Sequence, residues 1–171
     1  MRLLLLTEFP YDFSTFRLTL ENLARLYARR GHQVATAGRL DVRLALPSLL
    51  EGVDAVHLHT AGSWTPILSR IVDACSGRPL VVTFQDWDNP ALPLNDGAAR
   101  RHWTRLLGRA TAVTAVSRGL LERIARALPS IARRARVVYN GVEDSMFPSR
   151  RRPRPRQRAF ILCPARLAHY K

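Results

Sequence analysis

Four short polar segments stand directly after apolar runs in this sequence and hold most of the residues whose types could do chemistry. They are the loop from Glu8 to Thr15, the segment His57-Leu58-His59-Thr60, the run Gln85-Asp86-Trp87-Asp88, and Ser117. In open parallel sheets, ligands bind outside the carboxyl ends of the strands, where each of these segments would fall. Any one of them alone reads as turn chemistry or helix capping. Their joint placement on one sheet edge favours a binding site. His57 and His59 stand two apart, a spacing that puts strand residues on one face and is compatible with metal ligation. No third ligand at a ligating spacing accompanies them, so no metal is expected, and His59 is read as a hydrogen-bonding partner for a substrate. The loop after the first strand has no G-x-G-x-x-G, and no P-loop motif occurs. A dinucleotide cofactor is therefore not expected.

Positioning those segments requires a regular alternation of elements. Arg2 to Thr7 is a short apolar run that reads as a buried strand. Phe16, Leu20, Leu23, Ala24 and Tyr27 then recur at helical spacing from a start at Ser14-Thr15, and Gly31 stands where that helix should stop. Strands follow at Gln33 to Ala37, Ala55 to Leu58, Leu80 to Phe84, Val113 to Val116 and Arg136 to Tyr139. Helices are expected from about Trp64 to Ala74, across Ala98 to Leu107, and after Ser117, where Leu120, Leu121, Ile124 and Leu128 form an apolar stripe closed by Pro129. Fully apolar strands alternating with helices predict an α/β fold, a doubly wound parallel sheet covered on both faces.

The chain of 171 residues, 47% of them hydrophobic, is long enough for one domain with a sizeable core but not obviously for two. The expected organisation is a domain over 1–147, a linker over 148–158 rich in proline and arginine, and a stray strand at Ala159 to Cys163 inside 159–171. No apolar run approaches the roughly 20 residues that span a bilayer, which also argues against a signal peptide. Cys75 and Cys163 lie far apart and read as reduced, packed thiols, so a cytoplasmic location is expected. The net charge is +14, and Lys171 is the only lysine. Six arginines between Arg150 and Arg158 carry part of that surplus and leave +8 for the rest of the chain. Such a balance favours polyanions, anionic lipid or phosphorylated ligands. The arginine run itself reads as an exposed spacer, because proline interrupts it and no aromatic stacking platform is interleaved, so nucleic acid is not an expected partner. Arg100, Arg101, Arg105 and Arg109 beside Trp103, Leu106 and Leu107 predict a helix with two readings: it docks on an anionic membrane surface, peripheral to the inner face of the plasma membrane, or Leu106 and Leu107 pack on the sheet while the arginines are merely solvated.

The stretch Val137-Val138-Tyr139-Asn140-Gly141-Val142-Glu143, with Phe147 beyond it, resembles the "hxNGVDxxxF" signature of family 4 GT-B glycosyltransferases, with Glu143 in place of the usual aspartate. Five other stretches resemble the family in the same order: Leu23 to Val34, Asp54 to Thr60, Leu80 to Asp88, Ala110 to Leu120, and Ile161 to Lys171. The resemblance implies a Rossmann-like, acceptor-side N-terminal domain, truncated just inside the donor-binding C-terminal domain. It implies transfer of a hexosyl-type sugar from a nucleoside-diphosphate sugar to a glycan or lipid-linked acceptor, with retention and without a metal cofactor. Arg166 and Lys171 match the family residues that hold the donor diphosphate, whose developing negative charge fixed cations stabilise. Gln85 and Asp86 fall where the reacting sugar would lie, and Ser14, Thr15, His59 and Ser117 line the acceptor and loop side.

Three departures from the family pattern stand out. Ser14-Thr15 replaces a common Gly-Gly, which limits close backbone approach. Gln85 replaces a common histidine, and a glutamine donates a hydrogen bond but carries no proton in neutral water. The segment between Gly38 and Asp54 is short, which implies the loss of one peripheral strand. The same residues leave an alternative of another class, an idle acceptor half that serves as a membrane- or partner-binding module, with 171 residues too few for activity alone.

Overall fold

The apolar runs become six strands: β1 (Arg2–Thr7), β2 (Gln33–Ala37), β3 (Ala55–Thr60), β4 (Leu80–Phe84), β5 (Ala112–Ala115) and β6 (Ala135–Val137). The computed structural model describes residues 1–7, 14–62, 65–85 and 97–141. All five strand pairings are parallel, and the order across the sheet is β2-β1-β3-β4-β5-β6. Helices α1 (Ser14–Arg29), α2 (Arg39–Leu49), α3 (Thr65–Ala74), α4 (Gly97–Arg109) and α5 (Arg118–Ala127) lie between successive strands. This is the doubly wound α/β sheet expected from the sequence.

Crossover handedness divides the helices between the two faces. The step from β1 to β2 runs one way along the sheet and every later step runs the other way, so right-handed connections put α1 on one face and α2 to α5 on the opposite one. Strand parity agrees. Leu4, Leu6, Val56, Leu58, Val82, Phe84, Val113 and Ala115 form one buried cluster with Val42 and Leu46 of α2, Ile71 of α3, Leu106 of α4 and Ile124 of α5. Leu5 and Leu20 are buried outside that cluster, and α1 touches β1 and β2.

Local signals account for the helix ends. Ser117 has extended backbone, and its hydroxyl oxygen accepts the N–H of Leu120 at 3.2 Å, capping α5. Gly31 adopts φ +80° directly after α1, where its N–H and that of His32 close on the carbonyls of Ala28 and Tyr27. Arginines finish other helices: Arg78 and Arg109 donate to the carbonyls of Ala74 and Val72 in α3, and Arg134 donates to that of Leu107 in α4.

The short segment after Gly38 holds no strand, as expected, but it forms α2, a helix not expected there, with Asp41 accepting the Gly38 N–H at 2.8 Å. A kink at Ala45, two residues before Pro47, breaks the periodicity from which the helix could be read. The expected membrane helix is corrected as well. Trp103, Leu106 and Leu107 are 0% exposed, and Trp103 packs against Phe84 with ring centroids 5.3 Å apart, so α4 turns its whole apolar stripe into the core. No described helix is long and apolar enough to cross a membrane. The described fold is a unit over Met1–Asn140; the expected linker, the strand at Ala159 to Cys163 and the Cys163 thiol lie outside the described residues.

Candidate functional site

The sheet face opposite the large core cluster carries an unusual polar row. Parallel register aligns Thr7, His59, Thr83 and Thr114 across β1, β3, β4 and β5. One step toward the N-termini, the row is Leu5, His57, Val81 and Ala112. His57 and His59 therefore do share a face, and their rings lie 4.2 Å apart. Their nitrogens are engaged sideways. His57 Nε2 lies 2.7 Å from Thr83 Oγ1, which lies 2.7 Å from Thr114 Oγ1, so a hydrogen-bonded chain spans three strands.

At the carboxyl edge the ladder continues beyond the strands. The N–H of Gln85 donates to Thr60 O at 2.8 Å, that of Val116 to Phe84 O at 3.1 Å, and that of Val138 to Ala115 O at 2.9 Å. These bonds fix the backbone of Gln85 and of the stretch leading to Asn140. Thr60 is fully buried, and its hydroxyl accepts the N–H of Gly62, which turns the chain away from β3 at φ +91°.

Gln85 is the centre of the side-chain arrangement. Its Nε2 donates to His59 Nδ1 at 3.0 Å, and its Oε1 accepts from Asn140 Nδ2 at 3.0 Å. An amide nitrogen can only donate, so His59 Nδ1 is the acceptor and the ring carries its proton on Nε2. That Nε2 is buried with no hydrogen-bond partner among the described residues. Burial holds the His59 pKa well below the ordinary histidine range, and the neighbouring His57 ring lowers it further. Burial lowers His57 to about 4. Both rings are neutral at physiological pH, and one Gln85 N–H remains outside the His59 bond.

Each expected site residue can now be placed. Gln85 stands half-buried at the sheet edge. His59 is 1% exposed and touches Gln85, so the contact it makes is with another residue of the site. Ser117 stands beyond β5 with its oxygen engaged by the α5 cap. Ser14 and Thr15 open α1. Asp86, Arg166 and Lys171 lie outside the described residues. The sequence reading missed Asn140 and Thr83 as members of the site. The signal for Thr83 was its parity with Gln85 on one strand, and for Asn140 its place just past the last strand end. Cys75 is a buried thiol pushed up to about 11 by desolvation, away from this edge in the core cluster.

The family profile described as "Glycosyltransferase Family 4" matches residues 36–145. No curated protein matches the sequence significantly. Among solved structures, Alr3699/HepE of Anabaena in complex with UDP and glucose is similar, with a TM-score of 0.62 and 18% identity over 86% of this chain and 46% of that one. The same protein in complex with UDP gives 0.60 and 19% over 84% and 45%, and in complex with UDP-glucose 0.60 and 18% over 85% and 45%. At these identities the likeness is one of fold, and the chain spans about half the length of that protein.

Proposed function

Because this chain belongs to Glycosyltransferase Family 4, we propose that its sheet edge forms the acceptor-side wall of a site that transfers a sugar from a nucleoside-diphosphate sugar to a glycan or lipid-linked acceptor, with retention of configuration. The observation that carries this reading is the Gln85 amide, held at one end by His59 and at the other by Asn140. An amide locked at both ends cannot rotate to suit a ligand, so its remaining N–H is a preset donor for an oxygen such as a sugar hydroxyl. Glutamine neither takes nor gives a proton at neutral pH, so its task is orientation. His59, behind Gln85, acts as a positioning residue and fixes which end of the amide faces outward.

Charge stabilisation falls to other residues in this reading. A departing nucleoside diphosphate gathers negative charge, and Arg166 and Lys171 supply the cations that meet it without a metal. Asp86, next after Gln85, is the nearest carboxylate in sequence to the reacting sugar, and Ser14, Thr15 and Ser117 border the acceptor side. The UDP-glucose bound by the structurally similar HepE supports a nucleotide-sugar donor.

The test is titration of the chain, labelled at its side-chain amides, with UDP-glucose, GDP-mannose and short glycans, followed by nuclear magnetic resonance. The Gln85 amide signals are expected to move with a sugar ligand. Gln85→Ala is expected to weaken that binding by about tenfold, the worth of one buried hydrogen bond. If none of these compounds perturbs Gln85, or the alanine variant binds equally well, the assignment falls.

A further inference from the structure

The polar row beneath the sheet edge is more than the fold requires. A parallel strand buried on both faces is ordinarily apolar, and valine has nearly the shape of threonine without a hydroxyl to desolvate. β4 nonetheless carries Thr83, buried between Val82 and Phe84 and in register with His59 on β3 and Thr114 on β5. Its hydroxyl oxygen lies 2.7 Å from both His57 Nε2 and Thr114 Oγ1. A hydroxyl has one proton to give, so whichever way this chain runs, Thr83 donates to one neighbour and accepts from the other. Loss of that oxygen breaks both bonds.

His59 has few hydrogen bonds to orient it. Its Nε2 has no partner among the described residues, which leaves Nδ1 and its 3.0 Å contact with Gln85 Nε2. A half-turn of the ring about the Cβ–Cγ bond would put a carbon where Nδ1 stands and release the amide. The His57 ring, packed with its centroid 4.2 Å away and its plane tilted by 38°, opposes that turn. His57 is itself held by Thr83. We propose that Thr83 and Thr114 are positioning residues of the site: their hydroxyls fix the His57 ring, His57 holds His59 against rotation, and His59 keeps the Gln85 amide in its setting. The role deepens the sugar-transfer reading and rests on it for the ligand, while the hold on Gln85 exists without one.

The experiment is nuclear magnetic resonance of the full nitrogen-labelled chain without added sugar, reading deuterium exchange of the Gln85 side-chain amide. In the native chain the amide proton bonded to His59 is expected to exchange more slowly than those of Gln33, which is exposed on β2. Thr83→Val should speed that exchange about tenfold, the worth of one buried hydrogen bond. Thr114→Val should speed it about threefold, because it leaves the bond from Thr83 to His57 in place. Thr83→Ser restores the hydroxyl and should exchange like the native chain. Urea midpoints should change little in Thr83→Val, since the side chain keeps its shape, and Gln33 should exchange alike in every variant. Native protection in Thr83→Val, the same loss in Thr83→Ser, or a loss that follows a lowered midpoint would each overturn the proposal. If Thr83→Val does not fold, Thr114→Val decides, and unchanged exchange there overturns it. These spectra need no ligand, so their failure strikes the positioning role, whereas a failed titration with sugars strikes the transfer reading.

Discussion

His59 can accept from Gln85 only while its ring is neutral, because a proton on Nδ1 would set one donor against another. The site geometry is therefore tied to the same desolvation that keeps the His57–His59 pair uncharged. For His57 the folded-state pKa is depressed to about 4, against an ordinary value near 6.5. Between those values the unfolded chain binds more protons than the folded one, so stability rises with pH across that window and is fully present above it. We expect acidification from about pH 6.5 to pH 4 to cost roughly 2 to 3 kcal/mol through this group. Urea midpoints measured across that range should show a clear slope for the native chain and a flatter one for His57→Asn. Equal slopes would mean that the buried pair is already charged or solvated. Gln85→Glu makes a sharper change, since a half-buried carboxylate is desolvated there and offers no donor to His59 Nδ1, so the neutral ring must move its proton from Nε2 to Nδ1 to meet it. It should lose about 1 to 3 kcal/mol of stability, more than Gln85→Ala, in the same denaturation measurement.

Ser117 shows how local chemistry sets an element boundary. Its oxygen takes the Leu120 N–H, and Ser117→Ala should cost about 1 kcal/mol while leaving the strand before it intact, readable as a lowered melting temperature with an unchanged dichroism spectrum. This cap was legible in the sequence because it depends on residues three apart. The strands were legible for a related reason: runs such as Leu80 to Phe84 are buried on both faces and look alike in any context. α2 was not legible, because Pro47 and the non-helical Ala45 interrupt its spacing and two of its leucines face outward, contrary to the rule that an apolar stripe marks the core. The α4 stripe was legible but its medium was not, since sequence alone left lipid and the sheet both open and does not say whether Trp103 meets lipid or Phe84; burial decides for the sheet. The His59–Gln85–Asn140 chain was out of reach. Its partners are separated by 26 and 55 residues, and only strand register brings them together.

Across the whole molecule, arginine serves two purposes that composition cannot separate. Some guanidiniums are structural, closing the carbonyl ends of α3 and α4, while those of α2 and the outer face of α4 stand exposed. The net charge of +14 thus overstates what any one ligand meets. Among the described residues the largest fully buried side chain is Trp103, which joins α4 to β4 through Phe84. Trp103→Ala should cost about 3 to 5 kcal/mol and, on a margin of 5 to 15, leave the chain partly unfolded at 37 °C, which calorimetry would register as a lost or broadened transition.

The strand order carries a consequence for synthesis. β1 can pair with β2 as soon as about 40 residues have left the ribosome, and β3 then closes its other side; after that, β4, β5 and β6 each add to the same open edge in the order in which they are made. At about 5 to 20 residues per second, each newly finished edge waits on the order of one to six seconds for its neighbour. During each wait a row of unpaired backbone groups is open to other nascent chains. Ribosome-bound chains halted after β3 should already resist protease over their first 60 residues, while those halted between β4 and β5 should be the most prone to associate. The protein grows like a fence built from one end, and its weakest moment comes before the panel that carries Trp103 is in place.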